Sequence, residues 1–216
     1  MLYLTGSVRP KVWQLAREGV LGVILTPRGN HTYQGGAWAA DSGCFSPTTY
    51  VGDDDYMAWL TARRATARAC LFATAPDVVG DHDATLAKSL PHLPKIRALG
   101  YPAAFVGQDG ATVETMPWDE FDWLFIGGTT EWKLGPEARG LVSHAKEIGK
   151  NVHMGRVNSE RRLRYASHIG CDTADGTFLA FGPDVNLPRL LSWLRGVNDQ
   201  MELPVLPQEV DGREEG

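Results

Sequence analysis

The sequence predicts an α/β protein built as a compact (β/α)8 TIM-like barrel, and three observations lead there. Eight short apolar runs recur along the 216 residues. Most are near-continuous in apolar residues rather than alternating, as in parallel strands covered on both faces. Helix-like segments separate them, and repeated β-α units imply a parallel sheet. A doubly wound open sheet is the rival, because 216 residues is short for a barrel.

In chain order, "MLYLTGS" is the first strand and Pro10 to Glu18 the first helix. "VLGVILTP" is the second strand, and the stretch that follows has no room for a good helix before the third, "AWAADSG". Asp54 to Arg68 reads as a helix, with Asp53-Asp54-Asp55 supplying an N-cap and favourable charge at its start. "CLFATAPDVV" is the fourth strand, Ala84 to Leu99 a helix, and "AAFVGQ" and "WLFIGG" the fifth and sixth strands. Pro136 to Gly149 is helical and leads to "NVHMGRV", the seventh strand. Ser159 to His168 follows, with Asn158 or Ser159 as N-cap and Gly170 closing it. "CDTADGT" is the eighth strand and Leu187 to Val197 the last helix. Residues 1–200 are thus expected to form one catalytic domain, and 201–216, Pro-rich and then acidic, a flexible tail.

A hydrophobic content of 43% is enough to bury one sizeable core. No apolar run approaches the roughly 18 to 20 residues of a membrane span, and the N-terminus enters a strand without a leader, so a cytoplasmic location is expected. Cys44, Cys70 and Cys171 are odd in number and widely spaced, which excludes a disulfide framework or a C-x-x-C zinc clip. His31, His82, His144, His153 and His168 show no zinc-binding spacing and read as isolated imidazoles, so no metal is assigned. The net charge of −5 argues against a generic nucleic-acid coat. Two local basic clusters, "ARRATAR" and "RVNSERRLRY", nevertheless stand out, although solvated helix faces are the commoner explanation of such runs.

Parallel α/β architectures carry their sites at the carboxyl ends of the strands. Here those ends supply Asp41-Ser42-Gly43, Asp77 and Asp81, Gln108 and Asp109, Gly127-Gly128, Met154-Gly155-Arg156, and Asp172 and Asp175. Carboxylates beside a carboxamide suit a nitrogenous heterocycle, since a carboxylate accepts from ring N–H and exocyclic NH2 while a carboxamide reads a carbonyl. Remaining carboxylates can act at a glycosidic carbon, one attacking and one handling protons. Clustered aspartates also bind Mg²⁺, which leaves a metal-dependent hydrolase open. Cys44 reads as a small buried thiol, and Trp118, Trp123 and Trp132 as core.

"DSGCF" (Asp41 to Phe45) resembles the D-S-G-G-[FY] motif of the tRNA-guanine transglycosylase superfamily, whose members are (β/α)8 barrels. The segments "PDVVGDHD", "FVGQDG", "FIGG", "HMGRV" and "GCDTADGT" are similar, in the family's order, to its S-D-[IV]-V, V-Q-G, I-G-G, L-M-G-V-G and G-[IV]-D-x-F-D. The resemblance implies that Asp175 attacks the anomeric carbon to form a covalent glycosyl-enzyme and that Asp41 is the general acid/base. It implies that Phe45 and Met154 sandwich the base, Gln108 reads its carbonyl, Gly127 and Gly128 give backbone contacts, and Ser42 lies in the substrate-binding motif. Asp77 and Asp81 are candidates for the base-binding aspartate, with Asp83 favoured only by simple spacing.

The chain departs from the tRNA enzymes in having no C-x-C-x-x-C zinc site, in Cys44 and in Ala174. So short a form resembles the phage-encoded 7-deazaguanine DNA transglycosylases, which would act in the host cytoplasm. That resemblance implies replacement of guanine in DNA by a free 7-deazaguanine base, without cofactor, ATP or metal. Arg156, Arg161 and Arg162 are then the candidates for gripping DNA phosphates. A related enzyme acting on tRNA, and a non-catalytic barrel that binds a nucleobase or a partner protein, are the alternatives. No membrane partner is expected, and a homo-oligomer or partner protein stays open.

Overall fold

The computed structural model describes residues 1–29 and 31–201, with only the backbone described at 200 and 201. Its eight strands are all parallel and close in sequence order: β1 (Leu2–Thr5), β2 (Gly22–Leu25), β3 (Trp38–Ala40), β4 (Cys70–Thr74), β5 (Ala103–Gly107), β6 (Trp123–Ile126), β7 (Asn151–Met154) and β8 (Thr173–Gly176). β8 pairs with β1, where Leu4 lies opposite Asp175, and this closes the barrel. Every apolar run contributes its strand, and the open-sheet rival falls away.

The helices are α1 (Pro10–Arg17), α2 (Asp53–Ala62), α3 (His82–Ser89), α4 (Leu93–Ala98), α5 (Thr130–Lys133), α6 (Pro136–Glu147), α7 (Glu160–His168) and α8 (Pro183–Met201). Between β2 and β3 there is only a 3-10 turn at Pro27–Gly29, as the short connection requires. The single helix expected over Ala84 to Leu99 is two, because Pro91 has no N–H to continue the hydrogen-bond ladder of α3. α2 stops at Ala62, and Arg64–Ala69 tighten into a 3-10 turn that leads directly into β4. Asp53 lies inside α2 rather than capping it: Gly52 is the N-cap, while the Asp53 carboxylate meets Tyr50 and Lys88. α8 begins four residues earlier than expected and runs to Met201; the rest of the proposed tail lies outside the described residues.

Side chains alternate across each strand, so each supplies two layers. Leu4, Ala39, Phe72, Ala104, Val106, Trp123 and Phe125 pack together as one cluster, the barrel interior. Tyr3, Val23, Trp38, Phe105, Leu124, Val152 and Met154 belong to a second cluster with Val12, Trp13, Leu60, Leu141 and Leu163 of the helices. Burying each large aliphatic or aromatic side chain contributes about 1.5–3 kcal/mol, and these two layers supply most of the apolar burial.

Candidate active site

The interior alternation runs through the last strand residues and past the strand ends, and builds the floor of a cavity. Two residues beyond Ala39, Phe72, Val106, Phe125 and Thr173 stand Asp41, Thr74, Gln108, Gly127 and Asp175, and Gly155 stands two beyond His153. All six line a cavity of about 470 Å³ at the carboxyl end of the barrel. That volume suits a small molecule or a single base. Phe45, Asp77, Gly128, Arg156, Asn158 and Thr177 complete its walls from the loops, and so does His31.

Asp175 is held from below. His153 Nε2 lies 2.9 Å from Asp175 Oδ1, and His153 Nδ1 lies 2.8 Å from Thr173 Oγ1. The imidazole is 0% exposed and packs on Phe72 and Phe125, at ring separations of 5.0 and 4.4 Å. Asp41 takes a 2.6 Å hydrogen bond at Oδ1 from the Gly43 N–H. This turn needs the glycine of D-S-G, since Gly43 has φ +80°. Burial at the barrel mouth pushes the Asp41 carboxyl above its ordinary value, and the charge of Asp175 adds to this against the Gly43 hydrogen bond. Ser42 is buried and holds the turn: its N–H donates to Thr74 Oγ1 at 2.9 Å and its Oγ accepts from the Cys44 N–H. It does not line the cavity. Burial raises the Cys44 thiol as well, but the residue is only half-buried rather than packed in the core as expected, and its Sγ accepts from Lys88 Nζ at 3.6 Å.

Asp77 and Gln108 form a locked hydrogen-bonded pair. Gln108 Nε2 donates to Asp77 Oδ2 at 2.7 Å, and Gln108 Oε1 accepts from the Gly80 and Gly128 N–H groups at 2.9 and 2.8 Å. The carboxamide orientation is therefore fixed, with one N–H left for a ligand carbonyl. Burial first, and then the charge of Asp41, pushes Asp77 up to about 6. Asp81 does not join them: it caps α3, its Oδ1 accepting from the Ala84 N–H at 2.9 Å, and Asp83 is exposed in the first turn. Among the three aspartates the cavity therefore takes Asp77.

Two further expectations change. Met154 is 1% exposed in the layer between strands and helices and does not line the cavity, because strand alternation sends His153 and Gly155 inward instead. Gly127 and Gly128 do line it, but their N–H groups are bonded to Gly107 O and Gln108 Oε1 and are not free for a base. Their value is space. A Cβ on Gly127 would lie 2.6 Å from Val106 Cγ1, and Gly128, at φ +60°, would bring one to 2.4 Å from Trp132 Cε3.

Phe45 stands at the mouth, 61% exposed, with the Arg156 guanidinium 4.8 Å from its ring centroid. Arg156 has a left-handed backbone and also donates to Gly128 O, so it spans the opening from β7 to β6. Arg162, in the first turn of α7, is near enough to act electrostatically on Arg156, whereas Arg161 is exposed beside it. "ARRATAR" precedes β4 and so lies at the amino end of the strands, opposite the cavity. Lys133 is buried behind this wall, and its Nζ donates to Gly155 O at 2.6 Å. Burial, aided by Arg156 and Arg162, pushes it down to about 7.

His153 and Lys133 are the residues that sequence reasoning passed over. Strand parity was the available signal for His153, two positions from the Gly155 strand end. Among the described residues no group of three His, Cys, Asp or Glu side chains is arranged to hold a metal ion, and no helix is long and apolar enough to cross a membrane.

No protein-family model and no curated protein matches the chain. Solved structures do match over nearly its whole length. A chain of the BexX/CysO complex of Amycolatopsis orientalis is 14% identical, with a TM-score of 0.58, over 94% of this chain and 93% of that one. Tryptophan synthase from M. tuberculosis is 13% identical, with a TM-score of 0.59 and the same coverage. A 3-hexulose-6-phosphate synthase is 10% identical, with a TM-score of 0.52, over 91% of this chain and 99% of that one. At such identities the likeness carries the closed parallel barrel and nothing finer.

Proposed function

We propose that the protein is an enzyme, a base-exchange transglycosylase that replaces guanine in DNA with a 7-deazaguanine derivative. The observation that carries this reading is the meeting of Asp175 and Asp41 on one cavity floor with the locked Asp77–Gln108 pair beside them. Asp77 accepts from the ring N–H and exocyclic NH2 of a guanine-like base, and the remaining Gln108 N–H donates to its carbonyl. Asp175 attacks C1′ as the C1′–N9 bond breaks, and the leaving base takes its proton from Asp41, which burial favours in the protonated form. The incoming base returns a proton to Asp41 as its ring nitrogen attacks C1′ and displaces the Asp175 carboxylate. One glycosidic bond replaces another, so the exchange consumes no ATP. Because the bond lies within the duplex, the target nucleotide must leave the stack. Arg156, Arg161 and Arg162 stand on the β7–α7 side of the mouth as the phosphate contacts.

The test is nucleoside mass spectrometry of DNA and tRNA from cells that express the protein and are supplied with 7-deazaguanine bases. Deazaguanosine in DNA is the expected result. Its appearance in tRNA alone would make the enzyme an RNA transglycosylase. Its absence from both polymers would reduce the cavity to nucleobase binding without exchange.

A further inference from the structure

The imidazole of His153 is buried in the barrel interior with its ring packed between two aromatic side chains, Phe72 on one side and Phe125 on the other. A leucine or phenylalanine would fill that space without desolvating a polar ring. What an apolar side chain could not do is meet the two groups that the ring nitrogens meet, Thr173 Oγ1 at 2.8 Å and Asp175 Oδ1 at 2.9 Å. The strand register makes this possible: His153 pairs with Thr173 across β7 and β8, two residues before Asp175. A carboxylate only accepts, so Nε2 carries a hydrogen in either charge state of the ring. In the neutral ring Nδ1 accepts the Thr173 hydroxyl, which fixes the tautomer from behind. Asp175 Oδ2 has no hydrogen-bond partner among the described residues, and the side chain is 19% exposed, toward the cavity it lines.

We propose that His153 is a positioning residue for Asp175: it fixes the carboxylate through Oδ1 and leaves Oδ2 as the attacking oxygen. The role rests on Asp175 being the nucleophile of the proposed exchange. As C1′ leaves the carboxylate in the second half-reaction, the same Nε2–H stabilises the charge returning to Oδ1. Tyr3, Asp41, Lys133 and Arg156 also act electrostatically with Asp175, but His153 alone among the described residues donates a hydrogen bond to its carboxylate.

The experiment has two arms. In the first, ¹⁵N NMR of the imidazole in the intact protein at neutral pH should show a protonated Nε2 whose N–H resonance moves upfield in Asp175→Ala. A pyridine-type Nε2, carrying no proton, would overturn the proposal without reference to any substrate. In the second, base exchange is measured for His153→Leu, His153→Gln and Thr173→Val. Loss of one hydrogen bond to a charged group should lower kcat roughly 10- to 100-fold in His153→Leu, with KM for the base nearly unchanged. His153→Gln, which keeps an N–H donor, should recover most of the rate. Thr173→Val, which only frees the ring, should fall between them. Unchanged kcat in a folded His153→Leu, or a His153→Gln no better than it, would contradict the role. Should His153→Leu fail to fold, the glutamine and valine variants and the ring signature decide. A wild-type protein that exchanges no base overturns the transglycosylase reading, and the NMR arm still decides whether His153 holds Asp175.

Discussion

Asp77 is 9% exposed and carries a carboxyl pushed up to about 6, so its ionisation opposes folding. Between the unfolded value of 3.8 and about 6 the folded state holds the proton more tightly, so this contribution to stability is present at low pH and is lost as pH rises. Asp77→Asn keeps an oxygen for Gln108 and removes the charge. It should raise stability above pH 7 by an amount on the order of 2 kcal/mol and leave it unchanged near pH 3, as read by thermal unfolding across pH. The same variant should weaken binding of a guanine-like base, roughly tenfold or more, because a charged acceptor is lost. At this scale the sequence was legible where a residue type matched its chemistry: Asp41, Asp175, Asp77, Gln108 and Phe45 all reach the cavity. It was not legible where one step of strand parity decided the outcome. Met154 and His153 are adjacent, and the resemblance put Met154 on the base although the parity of β7 turns His153 inward and packs Met154 against the helices.

The loop from β7 into α7 brings Arg156 to the mouth, and α7 follows it with Arg161 and Arg162. Lys133 pins it from behind through Gly155 O, and a buried amine pushed down to about 7 binds fewer protons than the unfolded chain up to its ordinary 10.5. The folded protein should therefore gain stability as pH rises from 7 toward 10, and Lys133→Met should lack that gain, as measured by denaturant midpoints for both proteins. In front of the loop, Arg161 and Arg162 belong to the first turns of α7, on the mouth side of the barrel. Arg161→Glu with Arg162→Glu should flatten the salt dependence of DNA binding by about 0.7 to 0.9 in log-log slope per lost phosphate contact. Affinity for free 7-deazaguanine should barely change. An unchanged slope would locate the polymer groove elsewhere. Strands were readable as elements because each is a dense apolar run, and helix limits were less so. Pro91 divides the helix expected over Ala84 to Leu99, and the 3-10 turn at Arg64–Ala69 shortens the one before it.

Across the whole molecule the closed order β1 to β8 turns scattered strand ends into one chemical surface. Residues as distant in sequence as Asp41 and Asp175 meet because every parallel strand ends on the same face. Their convergence was legible from the periodic β-α pattern, and the place of "ARRATAR" directly before β4 puts that basic cluster at the opposite, amino end of the strands. Base exchange through the Asp175 carboxylate is measured by incubating DNA with isotope-labelled guanine and the wild-type protein or its Asp175→Ala variant, then reading label in DNA nucleosides by mass spectrometry. The expected result is label in DNA with the wild type and none with an Asp175→Ala protein that unfolds at the same temperature. Equal incorporation by the two proteins, or no incorporation by the wild type, would contradict it.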